Sequence, residues 1–442
     1  MTEAPGEVVP PNYDWDAYGF ETRQVHAGER PNAEHGDRVT PIHVSNAFRF
    51  DSFQDTWDRF AGVEDGQLYS RHLNPTVEVA EQRVASLEGG SGAVAFASGS
   101  AAIMATILAL CGQGDHFVST ASIYSGTIAG FERTLGRLGI SVSFVADWRD
   151  ADQWRAALRP ETRAIFTETI PNPKNDIVDI AAVAEAARAA AVPLMVDNTI
   201  ATPALIRPLE HGADLVVHSS TKFLGGHGAT LSGVVVDGSR FDWAAHADRY
   251  PQLADAVTRW GARRAFEQYV RFNQLYDFGA TLSPFNAFLL QQGLETLSLR
   301  MERHAANAHE LALWLAEQPG VESVDYAGLP GGRDFELARR LYDGRSGSVF
   351  SVTLAGGLEG ARTFVDHLCV FSRMTNMGDT RSLAIHPGTS THVNFTPERR
   401  AALGIHDGLV RLSVGIESVG DLRADLGSAL AAVVARVEAA RA

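Results

Sequence analysis

Residues 214–228 read DLVVHSSTKFLGGHG and join an apolar run to a turn of small residues that contains one lysine. The run LVV at 215–217 predicts a buried β-strand. Lys222 then lies among hydroxyl residues and glycines. A lysine on a surface loop is the ordinary interpretation. The alternative is an amine whose charge and reactivity are tuned by its surroundings, and the rest of the chain decides between the two.

Residues 93–236 alternate short apolar runs with helical patterns. This alternation predicts crossover units, a largely parallel sheet of the seven-stranded type and helices on both faces. In such α/β sheets, ligands bind beyond the carboxyl ends of the strands, so the residues that follow each run matter most. The runs are AVAFAS (93–98), HFVST (116–120), SVSFVA (141–146), AIFTET (164–169), PLMVDN (193–198), DLVVHS (214–219) and SGVVVD (232–237).

The overall composition excludes several classes of protein. The 442 residues carry a formal net charge of −15, which argues against a nucleic-acid or anionic-membrane partner. Cys111 and Cys369 are the two cysteines; they exclude a disulfide scaffold and a multi-cysteine zinc site, and they fit a reducing compartment. His218 and His227 lack partners at metal-ligand spacing, so we expect no metal site.

No segment indicates secretion or membrane insertion. The first residues contain neither a basic region nor an apolar core of the kind found in signal peptides. The charge-free stretch 89–114 is interrupted by glycines and serines, which favours a buried strand, a turn and a buried helix over a membrane span. We therefore expect a soluble, cytoplasmic protein.

Three parts of the chain are expected. Residues 1–65 form an N-terminal arm, residues 66–282 a large α/β domain, and residues 283–442 a smaller α+β domain. Within them, residues 239–278 are predicted to be helical and partly exposed, and residues 282–318 to form one long amphipathic helix.

Three strand ends carry residues that together describe one kind of site. The turn at Gly99 and Ser100 suits a phosphate, because free amides at the start of a helix attract anions; alone it could equally be a structural turn. Asp197 could cap a helix, hold a metal or pair with a ring nitrogen. One helix (203–212) and one strand are predicted between Asp197 and Lys222. A phosphate turn, an aspartate and a strand-end lysine describe a pyridoxal 5'-phosphate (PLP) site, with hydroxyls available from Ser219 and Thr221.

The chain resembles the PLP-dependent enzymes of cysteine and methionine metabolism over nearly its whole length. The resemblance implies the fold-type-I architecture of PLP enzymes. It rests on several motifs in the right order: YSRHLNPT (69–76), LEGG (87–90), ASGSAAI (97–103), YSGT (124–127), VDNT (196–199), HSSTKFLGGHG (218–228) and VRLSVGIE (410–417).

The resemblance implies roles for the residues around the cofactor. Lys222 would bind the cofactor aldehyde and later act as a general base. Asp197 would pair with the ring nitrogen, and Tyr124 would stack on the ring and assist proton transfer at the leaving group. The phosphate ligands implied are Gly99, Ser100, Ser219 and Thr221. Thr199 completes this candidate cofactor-binding set.

The resemblance also implies contacts to the substrate and to a second subunit. Asn172 would lie near the ring hydroxyl of the cofactor, and Arg411 would bind the α-carboxylate of the substrate, with Asn376 beside it. Tyr69 and Arg71 would reach the phosphate in a neighbouring subunit. A homodimer with shared sites, and a dimer of dimers, are therefore expected.

Several segments are similar to the O-acetylhomoserine sulfhydrylase branch of the family. They are FETRQVHAG (20–28), PIHVSNAFRFDS (41–52), the run from Asn376 to Asp379, SLAIHP (382–387) and TSTH (389–392). The reaction predicted from this likeness joins O-acetyl-L-homoserine to sulfide, giving L-homocysteine and acetate. Gly126 stands where methionine γ-lyases carry a cysteine, which argues against that activity.

The chain also departs from this branch in three places. Residues 249–265 replace a longer segment, Tyr276 stands where an arginine is common, and Pro171 precedes Asn172. The sequence therefore leaves four points open: the acyl preference, the acceptor, the balance of replacement and elimination, and whether the protein is a dimer or a tetramer. Cystathionine γ-synthase and lyase activities remain alternatives on the same site. A cofactor-binding transcription regulator lacks a DNA-binding segment here, and a dehydrogenase lacks its G-x-G-x-x-G turn.

Overall fold

The computed structural model describes residues 14–29, 35–64 and 66–441. Residues 1–13, 30–34 and 65 of the predicted arm lie outside the described residues, as does residue 442.

The first sheet has the predicted seven strands in the order β1-β7-β6-β5-β4-β2-β3. Strand β7 runs antiparallel to both of its neighbours, and the other pairings are parallel. The largely parallel α/β sheet predicted from the alternating runs is therefore confirmed. The strands are β1 (Gly92–Phe96), β2 (His116–Thr120), β3 (Ser141–Val145), β4 (Thr162–Glu168), β5 (Leu194–Asp197), β6 (Leu215–His218) and β7 (Gly233–Asp237).

This sheet is buried on both faces, which explains why its strands are continuous apolar runs and not alternating ones. Val196 and Val216 belong to one hydrophobic cluster, whereas Met195 and Leu215 belong to another on the opposite face. The carboxyl ends of the parallel strands meet at one edge.

Seventeen α-helices lie within the described residues. They are α1 (Phe20–His26), α2 (Phe53–Ala61), α3 (Pro75–Glu88), α4 (Gly99–Leu110), α5 (Ser125–Ala129), α6 (Ala151–Ala157), α7 (Ile180–Ala189), α8 (Thr202–Leu205), α9 (Pro251–Trp260), α10 (Ala265–Tyr269), α11 (Tyr276–Phe278), α12 (Pro284–Leu294), α13 (Leu297–Leu315), α14 (Phe335–Tyr342), α15 (Gly357–His367), α16 (Pro397–Ala402) and α17 (Val419–Arg441). Two π-helical segments, Gly130–Leu135 and Val270–Leu275, continue α5 and α10. Of the helices in the described ranges, none has the length and apolar character that crossing a bilayer requires.

A second sheet of five strands lies in the last third of the chain, in the order β10-β11-β12-β9-β8. Its strands are β8 (Val321–Asp325), β9 (Val349–Leu354), β10 (Ser372–Arg373), β11 (Leu383–Ile385) and β12 (Leu409–Ser413). Helices α15 and α17 pack on its hydrophobic cluster. The division at residue 283 stays a proposal; it falls between the two sheets, next to the start of α12.

Two helix predictions were wrong in detail. The single helix expected over 282–318 is broken between α12 and α13, where the buried Arg300 guanidinium donates to the carbonyl oxygen of Gly293. The helix expected over 203–212 is instead the short α8 followed by the 3-10 turn Pro208–His211, because Pro208 lacks the N–H that would continue α8.

Candidate active site

A cavity of about 330 Å³ lies at the carboxyl ends of the parallel strands and reaches the second sheet. It brings together eleven of the thirteen residues that the sequence singled out. These are Gly99, Ser100, Tyr124, Asn172, Asp197, Thr199, Ser219, Thr221, Lys222, Asn376 and Arg411. Residues far apart in the chain, such as Lys222 and Asn376, meet here because the segment after β4 is hydrogen-bonded to β9 and β12 of the second sheet.

One end of the cavity is a cradle of backbone amides and hydroxyls. Helix α4 starts there, and the Ser98 hydroxyl accepts the N–H of Ala101. A Cβ on Gly99 would lie only 2.5 Å from Cβ of Ser219, so the helix start can approach the turn after β6 only because residue 99 is glycine. The first amides of a twelve-residue helix and the Ser219 hydroxyl suit a phosphate.

The wall formed by β4 and β5 is acidic. Asp197 accepts a 2.8 Å hydrogen bond from the N–H of Thr199, and Glu168 lies beside it. Burial raises the pKa of Asp197, while the hydrogen bonds from Thr199 and the charge of His218 oppose that rise. A buried carboxylate with few donors favours a cation as its partner, such as a protonated ring nitrogen.

Lys222 is directed at Asn376 across the cavity. Its Nζ donates a 2.6 Å hydrogen bond to Oδ1 of Asn376. Burial lowers the pKa of Lys222, and the positive charge of Arg411 lowers it further. No carboxylate forms an ion pair with this amine among the described residues, so its free-base form is favoured, as condensation with an aldehyde requires.

Arg411 is a buried cation that forms no ion pair with an acid in the described ranges. It is 1% exposed, and burial lowers its pKa to about 10. Its guanidinium donates to Oδ1 of Asn172 at 3.3 Å and to the backbone oxygen of Asn376 at 2.7 Å, while its Nε finds no hydrogen-bond partner in the part of the chain that the structure describes. An unpaired buried guanidinium that faces a cavity suits a ligand carboxylate.

The donor set therefore fits PLP. The cradle of α4 supplies amides for a phosphate, Asp197 supplies an anion for the ring nitrogen, and Lys222 supplies an amine with a depressed pKa for the aldehyde. Arg411 leaves a second anion site for an amino-acid carboxylate.

Tyr69 and Arg71 do not line this cavity. Both are exposed, and the Arg71 guanidinium lies 4.2 Å from the ring centre of Tyr276. The Arg71 carbonyl accepts a hydrogen bond from the Thr281 hydroxyl, and Thr281 pairs with Phe96 at the end of β1. The two residues thus lie on the surface near the strand ends, outside the chain's own cavity.

Sequence reasoning missed one charged residue of the cavity, Glu168, which accepts the backbone N–H of Tyr124 at 2.9 Å. It is the last residue of β4, so the rule of reading each strand end could have found it. In contrast, His218 faces away from the cavity and its Nε2 lies 2.7 Å from the buried Glu88 carboxylate.

Comparison with known proteins gives matches over nearly the full chain. The sequence model of the family described as Cys/Met metabolism PLP-dependent enzymes matches residues 21–431. An O-acetyl-L-homoserine sulfhydrylase of Corynebacterium glutamicum is 46% identical over 436 residues, which cover 96% of this chain and 100% of that protein. An O-succinylhomoserine sulfhydrylase of Pseudomonas aeruginosa is 42% identical, with 95% and 99% covered.

Solved structures agree with these sequence matches. A Campylobacter jejuni protein described as an O-acetylhomoserine (thiol)-lyase, whose crystal structure carries a pyridoxyl-lysine phosphate, aligns with a TM-score of 0.89 at 33% identity. The alignment covers 94% of this chain and 100% of that one. The predicted fold class, that of PLP-dependent enzymes of this type, is confirmed.

Proposed function

The chain belongs to the Cys/Met metabolism PLP-dependent enzymes, and we propose that it transfers the aminocarboxypropyl group of O-acetyl-L-homoserine to sulfide. The Cγ–O bond of the substrate breaks and a Cγ–S bond forms, so the products are L-homocysteine and acetate. Homocysteine is the precursor that methionine biosynthesis methylates.

The acetyl assignment rests on which charged side chains line the cavity. Among the described residues that line the cavity, the positively charged side chains are Lys222 and Arg411. Lys222 is assigned to the cofactor and Arg411 to the α-carboxylate of the substrate. A succinyl group would bring a second carboxylate into the cavity, and the described lining offers no further cation to pair with it. An unpaired buried charge is unfavourable.

PLP, when bound, supplies an aldehyde for covalent attachment and a ring that accepts electrons. In our proposal the Lys222 amine makes that attachment, and the free amine afterwards removes the Cα proton of the substrate. Asn376 holds the amine from the opposite wall. Asp197, hydrogen-bonded by Thr199, keeps the ring nitrogen protonated.

The substrate is oriented by residues from both sheets. The Arg411 fork would bind its α-carboxylate, and Asn172, which accepts a hydrogen bond from Arg411, would lie near the ring hydroxyl of bound PLP. Tyr124 would cover the ring face, and its phenol would donate a proton at the departing oxygen. Substitution of each of these residues alone can test its proposed role.

A direct assay tests the proposed reaction. Purified protein with PLP is given O-acetyl- or O-succinyl-L-homoserine, each with sulfide, methanethiol, cysteine or no acceptor. We expect the highest kcat/KM for the acetyl ester with sulfide. Preference for the succinyl ester or for cysteine would instead assign a succinyl-dependent sulfhydrylase or a cystathionine γ-synthase, and rapid turnover without acceptor would assign a lyase.

We also propose that the site is shared within a homodimer, with a dimer of dimers as the complete assembly in a reducing cytoplasm. Tyr69 and Arg71 are exposed near the strand ends but outside their own cavity, and the neighbouring Phe278 and Phe285 are 66% and 57% exposed. Exposed aromatic side chains of this size are typical of subunit interfaces.

Mixing inactive variants tests the shared site. In a mixed dimer, the Arg71→Ala lesion of one subunit and the Lys222→Ala lesion of the other fall in the same site, so the second site is intact. Equal mixing after reversible unfolding should restore about a quarter of the wild-type activity. If the mixture stays inactive while each variant still forms dimers, Arg71 does not serve a neighbouring site.

A further inference from the structure

Two carboxyl groups lie side by side at the edge of the first sheet. Strands β4 and β5 are parallel, and Glu168 pairs in register with Asp197. Paired residues of neighbouring strands direct their side chains to the same face. Both residues line the cavity, and they are only 5% and 8% exposed.

This pair lacks a lysine or arginine counterion that would stabilise two negative charges. Among the described residues, neither carboxyl forms an ion pair with a lysine or arginine. Asp197 accepts the backbone N–H of Thr199, and Glu168 accepts the backbone N–H of Tyr124. Two like charges in a dry site cannot both be ionised. Since Thr199 and the charge of His218 favour the ionised form of Asp197, Asp197 keeps the charge and Glu168 keeps the proton.

The pKa directions agree with this assignment. Burial raises the pKa of Glu168 well above its usual range, and the negative charge of Asp197 raises it further, against the opposing effect of the Tyr124 N–H. The rise at Asp197 is opposed by the Thr199 hydrogen bonds and by the charge of His218.

Glu168 also ties Tyr124 to the sheet. Tyr124 precedes α5, and its side chain makes no capping hydrogen bond there. Its ring is 43% exposed and lies over Gly126, where a Cβ would overlap the ring atoms. The hydrogen bond from its N–H to Glu168 therefore fixes the backbone from which the ring extends into the cavity.

We propose that Glu168 is a positioning residue, which stands as a neutral carboxylic acid beside the Asp197 carboxylate and holds Tyr124 in place against the cofactor ring. This inference rests on the cofactor roles proposed for Asp197 and Tyr124, but not on the identity of the substrate. Because Glu168 is neutral, the negative charge of this carboxyl pair lies on Asp197.

The test uses the purified full-length protein with PLP and no amino-acid substrate, so that the outcome does not depend on the proposed reaction. Glu168→Gln keeps the size and an acceptor oxygen and removes only the capacity for charge. Glu168→Ala removes the acceptor as well. Asp197→Asn is the reference for a lost charge. The measurements are the dissociation constant of PLP and the visible circular dichroism of the bound cofactor, which reports how its ring is held.

We expect Glu168→Gln to bind PLP within about threefold of wild type and to keep the dichroism. Glu168→Ala should weaken binding about tenfold and reduce the dichroism, since Tyr124 is released. Asp197→Asn should weaken binding by about 100-fold or more.

Two results would overturn the proposal. If Glu168→Gln weakens PLP binding as much as Asp197→Asn does, Glu168 carries a charge in the native protein. If Glu168→Ala keeps the dichroism of wild type, Glu168 does not position Tyr124. Unchanged binding in Asp197→Asn would be a different failure, because it would refute the role of Asp197 in the proposed function.

Discussion

The chain contains two lysines, Lys174 and Lys222, and both lie in clefts whose surroundings differ. Nζ of Lys174 lies 3.5 Å from a carboxylate oxygen of Asp325, and both side chains are about a quarter exposed. Lys222 is directed at an amide, Asn376, and faces Arg411 across a buried cavity. Lys174 is paired with an acid, whereas Lys222 forms no ion pair with any carboxylate that the structure describes.

The same contrast holds for the arginines of the two clefts. The cleft around Lys174 has a volume of about 600 Å³, larger than the active-site cavity. Its Arg149 is bonded to both carboxylate oxygens of Asp334 and lies 3.5 Å from Asp176. Arg411 has no acidic partner among the described residues, although it is buried far more completely.

This difference shows that cleft size does not identify the site. In the larger cleft, lysine and arginine are matched by carboxylates that the chain itself supplies. In the smaller cavity, Lys222 and Arg411 form no ion pair with Glu168, Asp197 or any other acid of the described residues. Charges that folding leaves unpaired in a buried place are retained for ligands that will pair with them.

Replacing each lysine by alanine should give the largest contrast. We expect Lys222→Ala to lower kcat at least ~1000-fold and to abolish covalent attachment of PLP, because one side chain provides both the attachment and the general base. Lys174→Ala should keep turnover within about twofold and cost no more than about 1 kcal/mol of unfolding free energy, the usual value of an exposed pair. Steady-state kinetics and urea unfolding measure both.

Equal losses in the two lysine variants would contradict the distinction. They would mean that the paired lysine also takes part in the reaction.

Replacing an arginine of each region by methionine should separate binding from stability. Arg411→Met should raise KM about 100-fold, equivalent to about 3 kcal/mol, with little change in unfolding free energy because the lost cation had no counterion. Arg149→Met should leave KM unchanged and lower the unfolding free energy by about 1.5–3 kcal/mol, since charged hydrogen bonds are lost. A destabilised Arg411→Met with unchanged KM would show that Arg411 is structural.

A methyl group in the cavity should have a smaller effect. In Gly126→Ala the new Cβ would overlap the Tyr124 ring, and Cζ of that ring would be only 2.8 Å away. The ring must shift, so kcat should fall about tenfold. Gly130→Ala is the matched control, because its Cβ would meet the terminal methyl of Met104, which can rotate aside. Equal rates in the two variants would mean that the placement of Tyr124 does not limit turnover.

The smallest expected effect is a shift in pH dependence. The charge of Arg411 contributes to the lowered pKa of Lys222, so Arg411→Met should raise that pKa. The unprotonated amine then forms only at higher pH, and the pH profile for covalent uptake of PLP by the apoprotein should move upward. Arg149→Met should leave the profile in place. A downward or absent shift in Arg411→Met would show that the two cations do not interact.

Local sequence patterns predicted the parallel sheet and the residues at its strand ends. The apolar runs are continuous because the strands are buried on both faces. Asp197 ends β5, and Ser219 and Lys222 lie in the turn after β6. Asn376 and Arg411 came only from family resemblance, because no local pattern shows that they reach Lys222 and Asn172.

Other features depend on which elements become neighbours. Glu168 lies beside Asp197 only because β4 pairs with β5. The order of strands in the sheet cannot be read from the local sequence pattern. At the break between α12 and α13, the Arg300 guanidinium donates to carbonyl oxygens of Gly293 and of the distant Phe223, a contact that the local sequence does not reveal. Tyr69 and Arg71 lie on the surface and could contact a cofactor only in a second subunit, so their role stays a prediction.

The most direct test of the account is to find which amine carries the cofactor. Holoenzyme is treated with borohydride, which makes the link to PLP permanent, and peptides are then mapped by mass spectrometry. Because the chain has only two lysines, the answer is unambiguous. We expect the pyridoxyl group on Lys222 and none on Lys174. A pyridoxyl group on Lys174, or a protein that binds PLP without labelling Lys222, would contradict it.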